Sequence, residues 1–134
     1  MPVHMELSRI LITETQDYQV IYLREVEGER TFPIVIGLFE AAAIERRLKN
    51  IPVKRPQTHE LLANTIQQLG GHLEQILIND LHDHTFFARL IIRRDGELIE
   101  VDSRPSDAIA LGIANDVPIF VAEHVLEEAG NKPE

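Results

Sequence analysis

Short apolar runs broken by polar turns fill the first third of the chain. Their alternation predicts antiparallel strands joined by hairpins over about Met5 to Thr13, Asp17 to Arg24 and Glu29 to Ile36. Glu14-Thr15-Gln16 and Glu27-Gly28 supply the turns, and Pro33, which cannot donate to a ladder, suits an edge or a bulge. From Gly37 the period lengthens: Leu38, Ala41, Ala42, Ile44 and Leu48 recur at helical spacing. Glu45, Arg46, Arg47 and Lys49 cluster toward the end of that helix, where basic groups complement its dipole. Pro52 and Pro56 stop it. Thr58 then caps a second helix, whose stripe of Leu62, Ile66 and Leu69 ends at Gly70-Gly71.

Strands return over about Leu73 to Asp80, Thr85 to Arg94 and Glu97 to Asp102, with His82-Asp83-His84 and Asp95-Gly96 as hairpin turns. In the middle strand Phe86, Ala88, Leu90 and Ile92 share one face; Arg89 and Arg93 share the other with Phe87 and Ile91. That second face is expected to be partly buried or paired with another subunit. A third helix starts within Ser103-Arg104-Pro105-Ser106-Asp107 and is apolar nearly all round from Ala108 to Ala114, so it belongs inside. Pro118 to Val121 reads as a short last strand, Glu123 to Ala129 as a helical turn or two, and Gly130 to Glu134 as a loose tail. Hairpins with segregated helices predict one α+β domain over residues 1–134, with its core over about 5–121. Its sheet is mixed and mainly antiparallel, with about three helices. Strands followed by a helix occur twice, which suggests a weak internal duplication.

Composition narrows the function. With 134 residues, 44% of them hydrophobic, the chain can bury a continuous core. Its 22 acidic and 13 basic residues give a net charge of -9, which excludes a histone-like or polybasic nucleic-acid binder. The absence of cysteine removes disulfides, thiolate-zinc sites and cysteine nucleophiles. Met1 to Glu6 carries no basic patch followed by an apolar segment, and no apolar run is long enough to span a bilayer, so a cytoplasmic location is expected.

The segment Asp102-Ser103-Arg104-Pro105-Ser106-Asp107 passes from a strand straight into a helix amino terminus, where free N–H groups favour anions. Ser103 and Ser106 add hydroxyls, and Arg104 adds a fork of donors suited to phosphate. Asp102 and Asp107 offer hard oxygen ligands for Mg²⁺ or Mn²⁺. The plainer alternative is a capped helix with Pro105 in its first turn and Asp107 complementing the dipole. A second cluster, Lys54-Arg55-Pro56-Gln57-Thr58-His59-Glu60, puts His59 in a first helical turn. There the positive helix end favours a neutral ring able to serve as a general base. Its plainer alternative is Thr58 as cap and His59 packed over Ala63. Glu40, one turn into the first helix, needs a partner such as Arg55, Arg104 or an ion if it faces inward. His82 and His84 form an H-x-H pair, but Asp80 and Asp83 beside them read as turn formers.

Phe32-Pro33-Ile34-Val35-Ile36-Gly37 with Glu40, Arg55-Pro56-Gln57-Thr58-His59-Glu60-Leu61, and Asp102 through Leu111 resemble the bifunctional nuclease domain family, across roughly Leu7 to Val121. The resemblance implies a compact α+β domain, often oligomeric, with members credited with cleaving DNA and RNA. Carried over position by position, the polar residues this chain shares with the family are Glu40, Arg55, Thr58, His59, Asp102, Ser103, Arg104, Ser106 and Asp107. Two readings follow. In the first, a nuclease of low sequence specificity uses His59 as base, Asp102 and Asp107 as holders of a divalent cation, and Arg55, Thr58, Ser103, Arg104 and Ser106 for the substrate phosphate. Glu40 completes the set, and binding to nucleic acid is weak and salt-sensitive. In the second, a non-catalytic regulatory or scaffold domain uses the same pocket to bind an anion or a partner's acidic tail. A homodimer is expected in either case.

Overall fold

The computed structural model describes residues 1–13, 15 and 18–129. The expected turn at Glu14 and Gln16 and the expected tail from Gly130 to Glu134 lie outside the described residues. The chain runs β1 (Val3–Leu11), β2 (Tyr18–Glu25), β3 (Thr31–Gly37), α1 (Leu38–Leu48), α2 (Thr58–Gln68), β4 (His72–His82), β5 (Thr85–Arg94), β6 (Glu97–Ser103), α3 (Pro105–Ala114), β7 (Ile119–Val121) and α4 (Glu123–Ala129). The α+β class holds, with four helices among the described residues where about three were expected. The closing segment continues as α4 because Val125 and Leu126 are both fully buried there.

All the strands join one seven-stranded sheet in the order β3-β2-β1-β7-β4-β5-β6. Every pairing is antiparallel except that of β4 with β7. Two three-stranded meanders thus flank the short β7, and each runs directly into a helix, β3 into α1 and β6 into α3. The duplicated pattern in the sequence has this spatial counterpart. Two hairpins turn on residues with positive φ, Asp83 and His84 at 49° and 64°, and Asp95 and Gly96 at 50° and 80°. Positive φ at both central positions matches the right-handed twist of the strands they join. The H-x-H pair is therefore split by a turn rather than displayed on one strand. Pro33 stands on β3, a terminal strand of the sheet, as its missing N–H requires.

The centre of the molecule is α3. Ala108, Ile109 and Leu111 are fully buried, and Ala110 is 2% exposed. It packs on β3, β4 and β5 on one side and on α1 and α2 on the other. Phe32 and Phe86 close the core from opposite halves, with ring centroids 5.6 Å apart. Two apolar patches are covered to different extents. The stripe on α2 is only partly covered, with Leu69 65% exposed and no residue of that helix fully buried. Ile91, on the face expected to be partly buried or paired with another subunit, is 6% exposed within the single chain. Among the described residues no helix is long and apolar enough to cross a membrane.

Gly112 sets how closely α3 approaches the sheet, since a Cβ there would lie 2.9 Å from Ile76 Cγ1. Gly112→Val is expected to lower stability by about 1–3 kcal/mol through overpacking. A fall in the urea midpoint at an unchanged slope checks this; an unchanged midpoint contradicts it.

Candidate functional site

The amino ends of α1 and α3 meet, although the strands that lead into them, β3 and β6, are the two terminal strands of the sheet. At the first junction Gly37 is the N-cap of α1, with φ -80° and ψ 167°, and Glu40 stands at the third helical position, 7% exposed. Gly37 is needed here for room and not for backbone freedom: a Cβ would collide with Glu40 Oε2. At the second junction Arg104 is the N-cap of α3, extended at φ -69° and ψ 143°, with Pro105 as the first helical residue. Asp107 occupies the third helical position, the counterpart of Glu40, where the helix dipole favours a carboxylate. Arg104 supplies no side-chain cap to its own helix. Its guanidinium instead bridges the two carboxylates, donating from Nη2 to Glu40 Oε1 at 2.6 Å and from Nε to Asp107 Oδ2 at 2.9 Å.

The other oxygen of Asp107 reaches a third element. Oδ1 lies 3.2 Å from His59 Nε2, in the first turn of α2, and the His59 side chain is 13% exposed. The result is a line of alternating groups, Glu40–Arg104–Asp107–His59, across three helix amino ends. Partial burial pushes the Asp107 carboxyl up, but the hydrogen bonds from Arg104 and His59 outweigh it and hold that carboxyl below the usual range. The same contact with Asp107, and a weaker one with Glu40, raise the Arg104 guanidinium above its ordinary value.

The line separates two concavities. His59 borders a cavity of about 260 Å³ together with Arg46, Arg47 and Glu60. On the far side Arg104 and Ser106 border a groove of about 510 Å³ with Tyr18, Val35 and His84. Arg46 was read from sequence only as a dipole partner. The signal for its second role was the spacing Ala43, Arg46, Arg47, which puts these residues on one flank of α1.

The remaining expected residues are placed differently. Thr58 is the first residue of α2 rather than its cap, which is Gln57, and its side chain is exposed. Arg55 lies exposed in the preceding loop. The Ser103 hydroxyl donates to the Arg104 carbonyl at 2.8 Å, and Ser106 is 7% exposed at the groove wall. Asp102 does not join the line. Register sets it opposite Arg89, alternate to buried Ala88 and Leu90, so it lies on the sheet face away from the helices. Among the described residues no three acidic or histidine side chains gather as a metal cage, and both Asp107 oxygens are engaged by His59 and Arg104. A Mg²⁺ or Mn²⁺ ion shared by Asp102 and Asp107 therefore does not fit this donor arrangement.

An α+β domain that brings a carboxylate-held histidine and a bridged arginine to adjoining helix ends has recognisable relatives. The model of the bifunctional nuclease domain matches residues 21–134, and the chain belongs to that family. An uncharacterized protein of Mycobacterium tuberculosis is 42% identical over 121 residues, covering 90% of this chain and 72% of its own length. Bifunctional nuclease 2 of Oryza sativa is 28% identical over 114 residues, and Bifunctional nuclease 1 of Arabidopsis thaliana is 22% identical over 101. This chain spans only 35% and 31% of those two plant proteins.

Because Gly37 makes room for the Glu40 carboxylate, Gly37→Ala and Glu40→Gln disturb one contact. Each is expected to cost about 1–3 kcal/mol, the scale of an unsatisfied buried partner. The double variant should melt no lower than the worse single one; full additivity in thermal denaturation would show the two residues to be independent.

Proposed function

We propose that this chain hydrolyses phosphodiester bonds in DNA or RNA with low sequence preference, and that His59 is its general base. The observation that carries this reading is the His59–Asp107 contact at the rim of the arginine-lined cavity. When Nε2–H is given to Asp107, Nδ1 keeps a free lone pair. That nitrogen takes a proton from the water attacking phosphorus, and Asp107 holds the tautomer and stabilises the imidazolium that forms. As the P–O bond breaks, the proton returns to the leaving oxygen. Arg104 is a positioning residue: it fixes Asp107 from one side and is itself fixed by Glu40. The phosphate role falls to Arg46 and Arg55, which have no ion pair among the described residues, with the Thr58 hydroxyl exposed nearby in sequence.

Net charge of -9 opposes a polyanion, so productive contact is confined to the basic stretch that runs from Arg46 and Arg47 in the last turn of α1 through Lys49, Lys54 and Arg55 before α2. Binding is accordingly weak and falls steeply with salt.

The test uses purified protein with end-labelled single-stranded and duplex substrates in Mg²⁺, Mn²⁺ or chelator. His59→Ala and Asp107→Asn are each expected to slow cleavage by about 100-fold or more, whereas Asp102→Asn should stay near the parent rate. Cleavage indifferent to both of the first two variants overturns the proposal and leaves an anion-recognition surface. Loss of cleavage on chelation and on Asp102→Asn together would restore a cation between Asp102 and Asp107.

A homodimer through the sheet face opposite the helices belongs to the same proposal, since Phe87 and Leu98 are 39% and 55% exposed there beside Arg89 and Arg93. Light scattering should give twice the chain mass; the mass of one chain would refute it.

A further inference from the structure

We propose that the groove beside Arg104 seats one unpaired nucleobase, which makes single-stranded nucleic acid the preferred substrate. The inference rests on the nuclease reading above and adds to it the form of the polymer.

The groove of about 510 Å³ lies between the outer edge of β3, the turn joining β4 to β5 and the start of α3. It shares Arg104 and Ser106 with the candidate site, so a nucleotide seated in it lies alongside the Glu40–Arg104–Asp107–His59 line. Its volume falls within the range of about 300–1,000 Å³ typical of small-ligand sites. A duplex keeps its bases stacked inside and would have to extrude one to fill it.

The walls suit a flat ring. The Tyr18 side chain is 48% exposed and Val35 62% exposed, leaving apolar surface open to water next to a charged cluster. Phe86 lines the same groove and is braced from behind by Phe32. His84 lines it from the turn, where its φ is 64°. Arg104 keeps 67% of its side chain exposed at the groove's end, so its planar guanidinium is open to a base or a phosphate even while two carboxylates hold it.

Charge gives the argument its direction. At a net charge of -9 contact with the phosphate backbone depends on a few local basic residues and weakens as salt rises. Stacking of bases on side-chain rings supplies affinity without that requirement, and it tolerates sequence because every base has a π-face. Polar readout is equally permissive here. β3 ends the sheet, so one of its edges pairs with no strand and presents backbone donors and acceptors to any base edge.

The experiment measures fluorescence anisotropy with labelled, cleavage-resistant phosphorothioate strands: an oligothymidylate, an abasic strand of equal length and charge, and a duplex. The oligothymidylate is expected to bind about tenfold or more tighter than either of the others. Tyr18→Ala should bring it down to the abasic level without changing abasic binding, and a parallel thermal melt establishes that the variant is folded. Equal affinity for thymidylate and abasic strands, or a folded Tyr18→Ala with parent affinity, overturns the base site. If the parent protein cleaves ordinary single strands, abasic strands and duplex at one rate, the nuclease reading stands and this inference falls. If it neither binds nor cleaves any of them, both fall.

Discussion

Helix α3 offers water no polar face, and burying it on every side arranges the rest of the molecule. A helix that is apolar all round needs cover from a sheet and from other helices at once. The seven strands supply the first, with Ile76 and Ile78 packed beneath it, and α1 and α2 supply the second. Only the ends of such a helix can meet solvent. The polar chemistry of this chain is therefore gathered at the amino end of α3, where Arg104, Ser106 and Asp107 stand between two neighbouring helix starts.

The line of side chains at that end joins the two halves of the sheet. Glu40 and Asp107 occupy matching positions in α1 and α3, each at a helix amino end that favours negative charge. Two carboxylates so close would repel without the guanidinium between them. Arg104 resolves that repulsion by donating to both, and the cost of burying Glu40 is offset by a short charge-assisted hydrogen bond. His59 extends the line to α2, the least buried helix.

An acidic protein proposed to act on a polyanion must separate local from global charge. Arg46 and Arg47 of α1 border the cavity on the histidine side of the line, and the apolar groove opens on the arginine side. In the proposed reading, phosphate contact and base contact fall to different surfaces, with the Glu40–Arg104–Asp107–His59 line between them. Salt screening weakens the first and spares the second, because stacking carries little charge.

Periodicity is a local property, and everything that depended on it was legible in the chain itself. The three leading strands, the switch to helix at Gly37, the Asp95-Gly96 and Asp83-His84 turns and the burial of α3 all follow from the spacing of apolar and turn-forming residues. The polar residues of the line could be nominated as well, since Glu40, His59, Arg104 and Asp107 each stand at a helix start. Their mutual contacts could not. Glu40 and Arg104 are 64 residues apart, and His59 and Asp107 are 48 apart. Asp102 shows the converse. Close to Asp107 in sequence, it falls on the opposite side of the sheet because strand register, and not separation along the chain, decides which face a side chain takes. The exposed stripe of α2 and the division of the site into two concavities were likewise settled only by packing. Apolar spacing says that a face seeks cover, and the arrangement of all the other elements decides whether any cover is left to give.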